Sequence, residues 1–108
     1  MKITEYKTYE EARQDFTWDK IWELFDGDRE QFNIAHECID RHVGKGTAVR
    51  IKSADGRSEQ YTFDEISSLT SQFANALEGE KIQFGDRVAI MLEPSLEFYV
   101  SLFGTLKR

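Results

Sequence analysis

The sequence predicts an α/β fold, and three features of its second half carry that prediction. Residues 47–52 alternate apolar and polar side chains as a strand does, and residues 59–62 supply the return strand of a hairpin across the turn 54–57. A helical pattern follows over residues 62–79. Val88–Leu92 is an unbroken apolar run, which is typical of a strand buried on both faces. We therefore expect short N-terminal helices, a hairpin, a helix, a buried strand and a last helix, as the start of a larger layered domain.

The first part of the chain, residues 1–31, predicts a lead arm and one short helix. Residues 1–17 are polar and mixed in charge, with room for one or two helical turns over residues 10–15. Apolar side chains then recur at helical spacing behind an N-cap at Thr17, and these are Trp18, Ile21, Trp22 and Phe25. Two tryptophans on so short a helix favour packing onto a larger body, with an exposed aromatic binding site as the alternative.

A second helix is predicted from Asn33 to about Val43, at the start of the region 32–108. Asn33 is a favourable N-cap, and the glycines of Gly44–Gly46 end the helix. One stripe of this helix is apolar and holds Ile34, Ala35, Cys38, Ile39 and His42. The other side holds Glu37, Asp40 and Arg41. We expect the stripe, including the Cys38 thiol, to pack into the core.

Two longer helices are predicted in the second half. Thr62 and Glu65 form a capping box that opens the first, and Gly79 suits a left-handed position at its end. Because strands are predicted on both sides of it, this helix would be the crossover of a right-handed βαβ unit. The last helix carries apolar residues on two flanks, which are Leu96, Tyr99, Val100, Phe103 and Leu106, and then Phe98 and Leu102. It should need cover on more than one side, and no residue near Arg108 ends it, so we expect it to continue in a longer protein.

Composition excludes several classes of function. The net charge of −6 opposes binding to nucleic acid or to an anionic membrane, because both present negative phosphates. No apolar run is long enough to span a membrane, and the N-terminus has no apolar signal core. A single cysteine, Cys38, cannot form an intrachain disulfide, which predicts a cytoplasmic protein.

No catalytic or metal-binding motif in the sequence is complete. Gly44–Thr47 resembles the end of a phosphate-binding loop, but Ile39 stands where that motif needs glycine and a helix precedes the loop. Cys38 and His42 are one helical turn apart, yet third and fourth metal ligands are missing. The apolar position of Cys38 favours core packing over a metal or catalytic role. We predict no catalytic, cofactor-binding or metal residue in this chain.

Four stretches together resemble the N-terminal region of the AMP-forming acyl-CoA synthetases, in the adenylate-forming superfamily. Residues 32–42 resemble the Leu-Asn…Cys-Leu-Asp-Arg-His segment of the acetyl-CoA synthetase branch. Residues 61–66 resemble the widespread Thr-Tyr-x-Glu-Leu opening of the first large helix. Residues 84–90 are similar to the Lys-Gly-Asp-Arg-Val-Ala signature, and residues 96–107 follow the helix that leads to Leu-Lys-x-Gly-Ala. Their order and spacing agree over residues 32–108.

This resemblance implies the reaction of the full-length enzyme. It also implies that the catalytic motifs lie outside this chain. In the family a carboxylate attacks Mg-ATP to form an acyl-adenylate and pyrophosphate, and CoA then displaces AMP. The phosphate loop, the ATP and Mg²⁺ motifs, the acid pocket and the catalytic lysine map to no position here. ATP, Mg²⁺ and CoA are therefore expected of the full-length enzyme, and none of them is expected to bind this chain alone.

Two hypotheses follow. The first is an N-terminal fragment of an acyl-CoA synthetase, inactive alone, whose partner is the remainder of the enzyme or a second copy that associates through the apolar last helix. The second is a complete, non-catalytic interaction domain that retains the synthetase scaffold. The codons that follow residue 108 would separate them.

Overall fold

A computed structural model describes all 108 residues of the chain. The chain divides into two compact units, residues 1–32 and residues 33–108, and each is described by itself. No helix in either unit is both long enough and apolar enough to cross a membrane.

The first unit is built from short helices. A 3₁₀ turn at Ile3–Glu5 precedes helix α1, Tyr9–Asp15, and a longer 3₁₀ helix spans Trp18–Leu24. The Thr8 hydroxyl accepts a hydrogen bond from the Glu11 N–H and so caps α1, as threonine commonly does. A helical turn within residues 10–15 was predicted and is present.

The predicted Trp-rich α-helix is wrong in type, because Trp18–Leu24 is a 3₁₀ helix and the Thr17 side chain makes no cap hydrogen bond. With three residues per turn, side chains at i and i+3 align and a stripe spaced for an α-helix breaks up. Trp22 therefore aligns with Phe25, at a ring separation of 6.0 Å, whereas Trp18 is 75% exposed. Phe32 completes the cluster with edge-on contacts to both Trp22 and Phe25.

The second unit begins with helix α2, Ile34–Cys38, followed by a 3₁₀ turn at Asp40–His42. Asn33 caps α2 as predicted, since its side-chain oxygen accepts from the His36 N–H. The predicted continuous helix to Val43 is wrong: Ile39 leaves the helical region, at φ −122° and ψ −67°. Within α2, Glu37 is buried and the Cys38 thiol is exposed, opposite to the predicted stripe. Ala35 and Ile39 are buried as expected.

The hairpin forms as predicted from strands β1, Thr47–Lys52, and β2, Ser58–Thr62. The two strands are antiparallel, with Arg50 opposite Gln60 and a register irregularity between Thr47 and Val49. Gly56 closes the turn at φ +91°, a conformation that favours glycine because it lacks a Cβ.

Helix α3, Phe63–Gly79, starts directly after β2, and the Thr62 hydroxyl accepts from the Glu65 N–H as predicted. The predicted left-handed role of Gly79 is wrong, because Lys81 takes that conformation, at φ +62°. The Ile82 N–H reaches the Leu77 carbonyl and the Lys81 N–H reaches the Glu78 carbonyl, the two bonds of a Schellman end. The helix ends at Gly79 as predicted, and only the left-handed residue of its cap lies two positions later.

Helix α4, Leu96–Lys107, packs along α3 through small residues. Ser101 and Gly104 are the buried positions of α4, and Ile66 and Thr70 those of α3. A Cβ at Gly104 would lie 2.7 Å from Phe73 Cδ1 and 3.0 Å from the Thr70 carbonyl oxygen. Most apolar side chains of α4 are only half-buried.

The predicted buried strand at Val88–Leu92 is not formed within this chain, whose sheet has only two strands. Without a third strand there is also no βαβ crossover around α3. Val88 and Ile90 are half-buried, but Met91 is 96% exposed. A strand exists only through its hydrogen-bonded neighbours, and no segment of this chain lies beside residues 88–92 to provide them.

Candidate functional site

His42, one of the two residues with possible metal chemistry, uses both of its ring nitrogens in other contacts. The Nε2 of His42 lies 3.0 Å from the Glu37 carbonyl oxygen, and its Nδ1 lies 3.2 Å from the Lys45 ammonium. Because a carbonyl can only accept, Nε2 carries the proton and Nδ1 accepts from Lys45. Both ring nitrogens of His42 are thus engaged away from Cys38, and no three His, Cys, Asp or Glu side chains gather as a metal site.

The glycine loop that resembles a phosphate loop contacts a carboxylate. The Gly44 N–H donates to Asp64 Oδ2 at 3.2 Å, and Asp64 lies in the first turn of α3. Negative charge at a helix N-terminus is favourable, so Asp64 stabilises both the loop and the start of α3.

The second unit contains a polar cluster, here called the Lys107 cluster, formed by Lys107, Asp40, Ser67 and Ser71. The Lys107 ammonium lies 2.9 Å from Asp40 Oδ1, 3.0 Å from the Ser67 carbonyl and 2.8 Å from Ser71 Oγ. Ser67 Oγ donates to the same Asp40 oxygen. Three acceptors match the three donors of an ammonium group, and the Lys107 side chain is only 12% exposed. The cluster joins the end of α4 to α3 and to the turn at Asp40–His42.

Sequence reasoning missed the Lys107 cluster. Its hydrogen bonds join residues 27, 36 and 40 positions apart, and its ion pair joins Asp40 to Lys107, so no local spacing could reveal the cluster. The only signal was the position of Lys107 in the last turn of its helix, where a cation is favoured by the helix dipole.

Asp86, in the stretch that resembles the Gly-Asp-Arg-Val signature, has a structural role. Its carboxylate accepts from the Gln83 N–H at 2.8 Å, and its own N–H donates to the Gln83 carbonyl. Gly85 lies between them at φ +91°. The turn Gln83–Asp86 borders a cavity of about 200 Å³ lined mainly by Leu77, Ile82, Phe84, Val88, Leu106 and Arg108. Arg108 Nε donates to the Ile82 carbonyl at its edge.

A second groove lies between the hairpin and the N-terminus of α4. It has a volume of about 340 Å³, and its charged walls are Arg57, Glu59, Glu93 and Glu97. The Tyr61 hydroxyl donates to Glu59, and this hydrogen bond to a carboxylate raises the pKa of the Tyr61 phenol. Three carboxylates against one guanidinium make the groove a poor site for a phosphate group.

The first unit has its own ionic cluster at Asp15. The Asp15 carboxylate accepts from the Tyr6 hydroxyl at 2.8 Å and pairs with the Lys20 ammonium. The bond from Lys20, followed by that from Tyr6, lowers the pKa of Asp15, and the same contact raises the pKa of Lys20. Desolvation and the Asp15 contact raise the pKa of Tyr6. This cluster ties the start of the chain to α1 and to the 3₁₀ helix that follows.

Where its sequence resembles the synthetases, the chain has turns, helix caps and an enclosed lysine, all of them structural features. The family model for AMP-binding enzymes matches residues 37–108, and the chain belongs to this family.

Individual relatives agree with that assignment. The chain is 36% identical over 76 residues to an acetyl-coenzyme A synthetase of Burkholderia thailandensis, and 32% identical over 75 residues to one of Thiobacillus denitrificans. Each match covers 67% of this chain and 12% of the relative, so the chain spans about an eighth of the length of these synthetases. A crystal structure of a Brucella canis acyl-CoA synthetase superposes on 94% of this chain and 19% of its own, with a TM-score of 0.84 and 27% identity.

Proposed function

We propose that this chain is the N-terminal segment of a cytoplasmic AMP-forming acyl-CoA synthetase that acts on a short carboxylic acid such as acetate. The complete enzyme would join the acid to CoA at the expense of ATP, releasing AMP and pyrophosphate. The acetyl-coenzyme A synthetases among its relatives support the choice of a short acid.

The observation that carries this proposal is the Val88–Leu92 segment. It is apolar, it follows the Gly-Asp-Arg turn, and its peptide groups have no hydrogen-bonded neighbour in this chain. Such a segment is expected where neighbouring strands belong to the rest of a larger sheet. The small share of each relative that the chain covers supports the same view.

The contribution of this segment to catalysis is structural. Transition-state stabilisation in phosphoryl and adenylyl transfer requires positioned cations and hydrogen-bond donors around the phosphates. The Lys107 ammonium is enclosed by its own acceptors, and the charged groove carries mainly carboxylates. ATP, Mg²⁺ and CoA would therefore bind the remainder of the enzyme, which is the proposed partner of this chain.

Pyrophosphate release tests the proposal. The purified chain with acetate, MgATP and CoA should release none, whereas the polypeptide extended through the codons after Arg108 should release pyrophosphate and form acetyl-CoA. Lys107→Met should lower the melting temperature of the extended protein and leave its KM for ATP unchanged. Activity of the 108-residue chain alone, or inactivity of a folded extended protein with every short acid tested, would overturn the proposal.

One observation favours the alternative of a non-catalytic interaction domain. Trp18 is 75% exposed and Phe16 contacts it edge-on, which gives the first unit an accessible aromatic pair. A stop codon directly after residue 108, together with a partner whose binding is lost in Trp18→Ala, would support that function. Retained binding in Trp18→Ala would argue against it.

A further inference from the structure

The side chain of Asn33 is hydrogen-bonded to two different helices. Its oxygen accepts from the His36 N–H at 3.1 Å, which caps the start of α2, and its Nδ2 donates to the Leu106 carbonyl at 3.0 Å, near the end of α4. Only one orientation of the amide allows both bonds, because a backbone N–H must meet the oxygen and a carbonyl must meet the NH₂ group. Asn33 and Leu106 are 73 residues apart, so one amide joins the start of the second unit to its last helix.

Asp40 makes a second contact with the same helix end. Its Oδ1 lies 2.9 Å from the ammonium of Lys107, the residue after Leu106, and it also accepts from Ser67 Oγ in α3 at 2.8 Å. The side chains of Lys107 and Asp40 are 12% and 32% exposed, so water screens this ion pair only in part. Two consecutive residues of α4 are thus held by side chains of the segment that begins at Asn33.

Neither contact requires the chain to end where α4 ends. The ion pair between Asp40 and Lys107 joins two side chains, which a longer chain would keep. A carbonyl oxygen such as that of Leu106 has two lone pairs, so it can accept from Asn33 and from a later backbone N–H at the same time. Both contacts therefore follow from the packing of α2 and the turn after it against α4.

We propose that residues 33–42 form a clasp that fixes the C-terminal end of α4, with Asn33 and Asp40 as its two cooperating contacts. This assigns a task to the stretch that resembles the acetyl-CoA synthetase branch. If either contact is lost, the last turn of α4 frays and the other contact weakens with it, because a helix end opens as a unit. The clasp is a property of the chain itself and does not rest on the proposed enzyme function.

Asn33→Asp separates the two hydrogen bonds of the amide. Aspartate caps a helix as well as asparagine does, so the His36 N–H keeps its acceptor, but a carboxylate cannot donate to the Leu106 carbonyl. The Tm of the chain should fall by about 5 °C, the effect of one net hydrogen bond in a domain of this size. Amide hydrogen exchange at residues 104–107 should become about fivefold faster, and exchange at His36 should not change. Asn33→Ala should accelerate exchange at both places.

A double-mutant cycle tests whether the two contacts act together. Lys107→Met removes the ion pair, and adding Asn33→Asp should lower the Tm only slightly further, because a frayed helix end no longer holds the Leu106 carbonyl beside Asn33. Ser95→Ala is the matched control, since Ser95 caps the opposite end of α4 by accepting from the Phe98 N–H. The loss of stability in Ser95→Ala should add fully to that in Lys107→Met.

Unchanged exchange at residues 104–107 in Asn33→Asp would overturn the proposal. So would full additivity of Asn33→Asp and Lys107→Met, because two independent contacts would not form one clasp. Neither measurement involves ATP, CoA or an acid, so the clasp and the proposed function can fail separately.

Discussion

The α3–α4 pair and the segment Val88–Leu92 differ in how apolar composition relates to burial. The buried positions between the helices include Thr70, Ser101 and Gly104, which are small or polar. Val88–Leu92 is entirely apolar, yet Met91 is 96% exposed. Burial in this chain is thus decided by which elements have a neighbour. Small residues let two helices approach closely, and a strand without partners cannot be covered.

The largest effect expected from this contrast comes from truncating one buried and one exposed apolar side chain. Ile66→Ala should destabilise the second unit by about 3 kcal/mol, because Ile66 is fully buried and its loss leaves a cavity. Met91→Ala should change stability by less than about 0.5 kcal/mol in dilute solution. Urea unfolding followed by circular dichroism measures both. Equal losses of stability in Ile66→Ala and Met91→Ala would contradict the difference in burial between the two regions.

Glycine in the helix contact should be the next most sensitive position. Gly104→Ala should cost about 2 kcal/mol, since the new Cβ would lie within 3 Å of Phe73 carbons and force the helices apart. Gly79→Ala is the matched control, because a Cβ there meets nothing within 4 Å. The control should gain about 0.5 kcal/mol from helix propensity. A stabilising Gly104→Ala would mean that α3 and α4 are not closely packed.

The Lys107 cluster should contribute less than the close packing. Lys107→Met should cost about 1–2 kcal/mol, because it leaves Asp40 with one fewer hydrogen-bond donor in a partly covered position. Lys107→Arg should recover only part of this loss, since the larger fork cannot reproduce three bonds to one ammonium. Thermal unfolding at low and high salt measures the effect, and high salt should reduce it only slightly. If high salt abolished the difference in stability between Lys107→Met and the original chain, Lys107 would have to be exposed to solvent.

The smallest effect concerns acid and the first unit. The pKa of Asp15 is lower in the folded chain than its ordinary value of 3.8, so its stabilisation is complete above that value and is lost as the pH falls through the folded pKa. Tryptophan fluorescence reports this unit alone, because Trp18 and Trp22 are the only tryptophans. Asp15→Asn should weaken the unit at neutral pH and reduce its acid sensitivity.

Part of that acid sensitivity should remain in Asp15→Asn. Backbone N–H groups of Gln31 and Glu30 donate to Asp28 and lower its pKa as well. Asp55→Asn is the control, since Asp55 lies in the hairpin turn of the other unit. An unchanged acid transition in Asp15→Asn would show that the contact with Lys20 does not stabilise the fold.

Local hydrogen bonding was readable from the sequence. The caps at Asn33 and Thr62 and the turn around Gly56 depend on residues within four positions of one another, and all three are present. Patterns of period 3.6 were less reliable in short segments. At Trp18–Leu24 the tighter 3₁₀ geometry changed the alignment of the side chains. In α2, which has only five residues, Glu37 is buried in place of Cys38.

The sequence predicted less of the candidate sites than of the local hydrogen bonds. The family relationship was apparent from four short stretches, because their order and spacing survive where single residues differ. The structural role of Asp86 could have been suspected from its turn, whereas the Lys107 cluster had no local signature.

By itself, the sequence determined where helices begin, where the chain turns, and to which family it belongs, because these depend on short-range chemistry and on residue order. Only the tertiary structure decided that Lys107 is enclosed, that Cys38 is exposed, and that residues 88–92 have no strand beside them. These properties depend on groups far apart in the chain and on which segments lie side by side. Burial and pairing are relations between elements, and no single stretch of sequence encodes them.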